Sequence, residues 1–198
     1  MQKIAKKQQR EENILLSLKK LSYLSRSQLQ ILHDLGSARN ASKVMKNLEQ
    51  YVSSFRDGEN IYYLNKEGRE RVNSNKILKK TIQARHYIMR NSIYIGYGNP
   101  STWKNEVKMG FKEIKNATVV CDALFQKDKV FHIVEVDHTQ KMTKNRTKVE
   151  KYRKLIEYGL FERPPKFIWI TTTELRRKQL LELCEGLEVH VFTVKDFH

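Results

Sequence analysis

Three carboxylates with spacing suited to metal chemistry lie in two neighbouring apolar runs, residues 118–125 and 129–137; they are Asp122, Glu135 and Asp137. Apolar, β-branched runs separated by a polar turn are typical of buried strands. Side chains alternate faces along a strand, so Glu135 and Asp137 share one side, and a hairpin would bring Asp122 next to them. Converging carboxylates suit Mg²⁺ or Mn²⁺, which polarise a phosphodiester and activate water. We therefore predict that these three residues are metal ligands and catalytic residues.

A second interpretation of these acidic residues remains open. Acidic residues are common in the chain, and an Asp followed thirteen positions later by Glu-x-Asp is a weak pattern when it is considered alone. Glu135 and Asp137 could instead lie on a solvated strand face beside Lys129 or His132. The order of the surrounding elements favours the metal site.

The elements expected around the two strands have the order of a nuclease core. A helix carrying Glu106 is expected before them, and a basic helix over residues 144–159 and a strand over residues 166–172 are expected after them. This order resembles the PD-(D/E)XK nuclease superfamily, whose core has a helix with Glu, a hairpin with Asp and Glu-x-Lys, a crossover helix and a further strand. The resemblance implies that Glu106 is a fourth acidic group of the catalytic site. Exposed glutamates are frequent, so an ordinary surface role for Glu106 stays open.

Three short motifs between residues 121 and 155 narrow the resemblance: CDALF, IVEVDHT and KVEKYRKL. They resemble the D-A, E-x-D and K-x-x-x-Y series of the replication-relaxation family of plasmid, phage and other mobile-element proteins. Asp137 stands where the wider superfamily has a lysine. We expect Lys148, one helical turn before Tyr152, to supply the catalytic ammonium by reaching toward Glu135. The alternative is a lysine that points into solvent.

The chain before residue 65 has the pattern of three helices and a hairpin. Apolar residues recur at helical spacing over residues 11–21, and Ser25 with Gln28 has the form of a capping box that starts a second helix. A third helix is expected over residues 40–51. Next to its apolar stripe lies a set of hydrogen-bond donors suited to phosphates and base edges, which we call the donor face: Arg39, Asn40, Ser42, Lys43, Lys46 and Asn47.

The turn Arg56-Asp57-Gly58-Glu59 joins two short strand-like runs, and Asp-Gly is a strong hairpin signal. Three helices followed by a hairpin is the order of a winged helix, with the third helix in the major groove and Arg56 near the tip of the wing. We therefore predict that the donor face and Arg56 bind double-stranded DNA. The alternative is a small helical adaptor whose polar face is only solvated.

Charge and composition point to a polyanionic partner. The chain carries 38 Lys and Arg against 22 Asp and Glu, which gives a net charge of +16. A field of this sign attracts nucleic acid, and no apolar run approaches the length of a membrane span, so we expect no membrane partner. Two cysteines without zinc spacing and a polar, basic N-terminus indicate a cytoplasmic location.

We expect an α+β protein with a winged helix-turn-helix over residues 1–75 and an α/β, nuclease-like domain with a mixed sheet over residues 76–198, which opens with a long helix over residues 77–95. The expected function is double-stranded DNA binding in plasmid or phage replication or mobilisation, with Mg²⁺- or Mn²⁺-dependent nicking or cleavage. The rival is a non-catalytic transcriptional regulator or replication accessory protein whose nuclease-like fold serves binding or dimerisation. A homodimer, and partnership with replication or mobilisation proteins, fit either function.

Overall fold

Residues 2–111 and 118–197 are described by this computed structural model, in which the chain divides into two units, Met1–Asn91 and Ser92–His198. Residues 76–91, which we expected in the second domain, group with the first unit. The division into functional domains at residue 75 stays a prediction.

The first unit combines helices with a small antiparallel sheet. Its elements are α1 (Gln2–Leu21), β1 (Leu24–Ser25), α2 (Arg26–Leu32), α3 (Ala38–Asn47), β2 (Val52–Asp57), β3 (Glu59–Leu64) and α4 (Lys66–Arg71). The strands follow the order β1-β3-β2, and the β2–β3 ladder runs from Val52↔Leu64 to Asp57↔Glu59. Gly58 adopts a φ of 74° between the last pair, a conformation that glycine tolerates without strain, so the predicted hairpin is confirmed.

Local sequence signals set the ends of the short helices. The Ser25 hydroxyl oxygen accepts a hydrogen bond from the Gln28 backbone N–H, and the Gln28 side-chain oxygen accepts one from the Ser25 backbone N–H, which confirms the predicted capping box. Ser37 caps α3 in a similar way through the Asn40 N–H. This helix therefore begins at Ala38 and ends at Asn47, two residues earlier at its start and four earlier at its end than expected.

The long helix expected over residues 77–95 is shorter than predicted: α5 spans Ala84–Gly96. The Tyr23 hydroxyl donates to the Lys79 carbonyl at 2.7 Å, and Leu78 packs beside Tyr23. These contacts hold residues 74–81 without regular structure and leave Ile77 and Ile82 exposed. The helical spacing of the apolar residues was therefore overridden by tertiary contacts.

The second unit is built on one mixed sheet. Its elements after α5 are β4 (Lys104–Gly110), β5 (Thr118–Lys127), β6 (Val130–Asp137), α6 (Met142–Glu157), β7 (Lys166–Thr171), α7 (Glu174–Leu183), β8 (Val189–Thr193) and a 3₁₀ turn (Val194–Phe197). Within the described residues the sheet has five strands in the order β4-β5-β6-β7-β8, antiparallel up to β6 and parallel from β6 to β8. The predicted α+β class with a mixed sheet is confirmed.

The segment with Glu106 is a strand, not the helix that we expected. Side chains of β4 alternate between exposed and half-buried positions, which is the pattern of an edge strand covered on one face. Pairing with β5 provides partners for the backbone groups on its inner edge. Edge strands that are rich in Lys and Glu lack the continuous apolar signal by which buried strands are recognised.

The main core of the second unit lies between the sheet and the helices that follow β6 and β7. Ile133, Tyr152, Trp169 and Leu180 are fully buried there. The crossover helix α6 joins two parallel strands, as such connections require. Odd-numbered residues of β6 therefore point toward α6 and α7, and this is the face on which the predicted carboxylates lie.

Candidate functional site

Glu135 is the centre of a buried polar cluster in the second unit. Its side chain is 0% exposed, although it lies on a strand of apolar residues. One carboxylate oxygen accepts a hydrogen bond from the Lys148 ammonium and the other accepts one from the Tyr152 hydroxyl. Lys148 and Tyr152 are four residues apart on α6 and share a helix face. The structure thus brings Lys148 to Glu135 and not into bulk solvent.

Burial and a second carboxylate perturb the ionisation of this pair. Burial, followed by repulsion from Asp122, raises the pKa of Glu135 from its usual 4.5 to about 8, although Lys148 and Tyr152 act in the opposite direction. Burial lowers the pKa of Lys148, but attraction to Glu135 and Asp122 outweighs it and leaves that pKa raised. Strongly perturbed groups that meet in this way are characteristic of functional sites.

Asp122 joins the cluster because the β5–β6 ladder stops beside it. The last recorded pair is Ala123↔Val134, so the next position places Asp122 opposite Glu135. The Asp122 Oδ2 atom accepts a hydrogen bond from the Val136 backbone N–H at 2.8 Å, so a side chain replaces the usual carbonyl acceptor. The predicted convergence of Asp122 with Glu135 is therefore present in the structure.

Asp137 lies on the same face, but its surroundings differ. Arg176 Nε and Nη2 each donate to a different Asp137 oxygen at 2.6 Å. Asn145 Nδ2 and Thr171 Oγ1 donate to the same two oxygens at 2.8 and 2.7 Å. Burial would raise the pKa of Asp137, but these hydrogen bonds hold it below its usual range. Asp137 is thus a fully compensated anion, in contrast to Glu135.

Arg176 and Asn145 were not predicted from the sequence. Arg176 lies in the first turn of α7, which Thr173 starts by accepting a hydrogen bond from the Arg176 N–H. Asn145 is fully buried on α6 together with Tyr152 and the apolar residues, whereas most of the Lys and Arg residues of this helix are exposed. Asn145 lies four residues before Val149, in line with the apolar stripe of α6, and this spacing is visible in the sequence, whereas nothing near Arg176 in the chain indicates its partner.

Glu106 lies on β4, the strand that pairs with the strand of Asp122. The pairs Asn105↔Ala123 and Val107↔Cys121 flank it, so Glu106 lies opposite Asp122. It is exposed and has a φ of 52°, which is uncommon for a residue other than glycine. The structure places its backbone at the edge of the site, on a strand in place of the expected helix.

The donor set can be compared with the needs of a divalent ion. Among the described residues, no group of three His, Cys, Asp or Glu side chains is arranged to hold a metal. Mg²⁺ is commonly held by one or two carboxylates, with water and substrate phosphates as the other ligands. Asp122 and Glu135 are the pair that comes nearest to such a site: they lie on adjacent strands, and a cation would offset both the burial of Glu135 and its repulsion from Asp122, the two causes of its raised pKa. The four hydrogen bonds on Asp137 leave it poorly suited as a third ligand.

In the first unit, α3 separates its polar and apolar residues as predicted. The buried residues are Ala41, Val44, Met45 and Leu48. Every member of the donor face is exposed, as is Arg56 on β2. Asn40 and Ser42 also donate to the backbone carbonyls of Leu35 and Ala38. Lys43 and Lys46 project from an anchored helix, in which the apolar stripe holds the donor face toward solvent.

Together these features define a two-unit α+β protein with an exposed basic helix in one unit and a buried carboxylate–lysine cluster in the other. Residues 15–169 match the family described as replication-relaxation. The chain belongs to the replication-relaxation family.

Other comparisons add little. The crystal structure of protein VC1899 from Vibrio cholerae is similar at 12% sequence identity and a TM-score of 0.41; the match covers 94% of this chain and 47% of that one. No curated protein matches the sequence. Among the described residues, none of the helices combines the length and the apolar character needed to cross a bilayer.

Proposed function

We propose that this protein is a double-stranded DNA-binding protein of a mobile element, in which α3 and the β2–β3 hairpin act as the recognition helix and wing of a winged helix. The observation that carries this proposal is the exposed donor face of α3, backed by a fully buried apolar stripe. Because its apolar stripe stays packed in the first unit, this helix can enter a major groove without breaking its contacts with the rest of that unit. The net charge of +16 supplies the attraction to phosphates.

The test is the salt dependence of duplex binding. Replacing Lys43 and Lys46 together with Ala should weaken binding and reduce the slope of log K against log salt by about two, if each lysine contacts one phosphate. The matched control is Lys6→Ala with Lys66→Ala, which removes the same charge from exposed positions outside α3. If both double variants lose the same affinity for duplex DNA, the loss reflects net charge alone, and α3 is not supported as the recognition helix.

A second candidate activity, metal-dependent cleavage of DNA, is favoured by the contact between Lys148 and Glu135. In this proposal Asp122 and Glu135 hold Mg²⁺ or Mn²⁺, and the ion supplies charge neutralisation and an activated water. Lys148 takes the role of the lysine that the wider nuclease superfamily has at the position of Asp137. Its ammonium reaches the Glu135 carboxylate from α6. Asp137 then serves as an anchor that binds the end of β6 to Arg176, and not as a ligand.

The cleavage test uses supercoiled plasmid with and without Mg²⁺ or Mn²⁺. Nicking should require the ion and be lost in Glu135→Gln and Lys148→Ala. Lys154→Ala, which removes an exposed lysine from the same helix, should keep the activity. Calorimetry should show ion binding that Asp122→Asn abolishes.

If the protein binds DNA but leaves the plasmid intact and binds no ion at millimolar concentration, the non-catalytic regulator or accessory protein is the better description. The cytoplasmic location, the homodimer and the replication or mobilisation partners stay predictions under either outcome.

A further inference from the structure

A groove opens beside the carboxylate cluster in the second unit. It lies between the start of β5 and one face of α6 and has a volume of about 270 Å³. We call it the lysine groove and define it by five of its lining residues: Thr118, Val120, Lys144, Lys148 and Lys151. Lys148 lines the groove and also contacts Glu135, so one wall of the groove adjoins the buried acid.

The lysine groove carries positive charge that the described residues do not neutralise. Its lysines are four and three residues apart on α6, so they project from one helix face. Within residues 2–111 and 118–197, neither Lys144 nor Lys151 forms an ion pair with a carboxylate, whereas Lys148 is paired with Glu135. The helix as a whole has six Lys and Arg residues against two Glu.

The dimensions suit a single strand of nucleic acid. Lys144 and Lys151 are seven residues apart, which corresponds to a rise of about 10 Å along the helix. This length is several times the axial rise of about 3.4 Å per phosphate in a duplex strand, so the two outer lysines can contact different phosphates of one strand. Thr118 adds a neutral hydroxyl, and Val120, which is 48% exposed, offers an apolar surface to a sugar.

We propose that the lysine groove binds the phosphodiester backbone of one DNA strand and brings it against Lys148, the groove residue that contacts Glu135. The proposal rests on the proposed function, since a strand enters the groove only if the protein handles DNA. It adds a second nucleic-acid contact, separate from α3, with single-stranded backbone as its ligand. Phosphates in the groove would approach the Lys148 ammonium directly.

The experiment measures the affinity of the full chain for a labelled single-stranded oligothymidylate by fluorescence anisotropy at several salt concentrations. Lys144→Gln with Lys151→Gln should weaken binding about tenfold and lower the salt slope by about 1.4, the value for two phosphate contacts on a single strand. The control Arg146→Gln with Lys154→Gln removes the same charge from exposed positions of α6 outside the groove. It should leave the affinity within about twofold of wild type.

Two further arms identify the ligand and separate the two proposals. Inorganic phosphate, at a total phosphate concentration equal to that of the strand, should not displace the oligonucleotide; displacement would mean a site for free phosphate and would overturn the strand proposal. Single-strand binding could be equal in the two Gln double variants while duplex binding still depends on Lys43 and Lys46. That result would overturn the lysine-groove proposal and leave the proposed function of α3 intact. Failure of the wild-type protein to bind either DNA would overturn the proposed function as well.

Discussion

The donor face of α3 and the acidic cluster around Glu135 are both made of charged and polar side chains, but they are built in opposite ways. The donor face is exposed and its members come from ten consecutive residues. In the cluster, Glu135 and Asp137 are fully buried and their partners come from α6, β7 and α7. The donor face forms from the helical spacing of residues in one helix, whereas the buried cluster forms only when the whole second unit folds.

The difference has an energetic consequence. An exposed charge keeps its hydration, so its removal changes stability little. A buried charge has lost hydration and depends on its partners, so removal of one partner leaves an expensive uncompensated group. The two regions should therefore respond to substitution on different scales.

The largest effect is expected at Arg176. Arg176→Met leaves the Asp137 carboxylate buried without its bidentate partner and should destabilise the protein by about 3–5 kcal/mol. Urea unfolding measures the loss, with the exposed Arg163→Met as the control. A loss below about 1 kcal/mol would remove the contrast between the two regions.

A pH-dependent effect of intermediate size is expected at Glu135. Its pKa is about 8 in the folded protein and near 4.5 in the unfolded chain, so the folded state binds more protons between these values and wild-type stability falls as pH rises through this window. Glu135→Gln removes that dependence. The stability of the variant relative to wild type should therefore increase by on the order of 3 kcal/mol from pH 5 to pH 8.

Lys148 does not contribute in this window, because its raised pKa keeps it protonated in both states. Thermal unfolding at several pH values provides the measurement, and Glu182→Gln, at an exposed position, is the control. A difference between variant and wild type that stays constant with pH would contradict the raised pKa.

A smaller effect is expected at the start of α3. Ser37→Ala removes the acceptor for the Asn40 N–H and should cost about 1 kcal/mol, whereas Ser37→Gly should cost only a few tenths. Chemical denaturation compares the two variants. Equal costs would mean that the cap hydrogen bond does not contribute to the stability of the donor face.

The smallest effect on stability is expected on the donor face itself. Lys43→Gln with Lys46→Gln should change the free energy of unfolding by less than about 0.5 kcal/mol, because both side chains are exposed. The same variant should still bind duplex DNA more weakly. A large loss of stability would show that these lysines help to hold the first unit together. The donor face would then contribute to stability as well as to binding, contrary to the contrast with the buried cluster.

Local patterns were sufficient for much of the first unit. The stripe of Ala41, Val44 and Met45 predicted which side of α3 is exposed, and Asp57-Gly58 predicted the hairpin. The prediction failed between residues 77 and 83, where an apolar spacing typical of a helix is overridden by the hydrogen bond from Tyr23. That contact joins residues 56 positions apart and leaves no local signal.

By itself the sequence determined that Glu135 and Asp137 share one face of a buried strand, because alternation along a strand is a local property. It also placed Lys148 and Tyr152 on one face of α6, because helical spacing is local too. Only the tertiary structure decided that the two acids differ. Burial and repulsion from Asp122 raise the pKa of Glu135 more than Lys148 and Tyr152 lower it, whereas hydrogen bonds from Arg176, Asn145 and Thr171 hold the pKa of Asp137 below its usual range. The reason is that burial makes the energy of a charge depend on its contacts, and these contacts come from elements far apart in the chain.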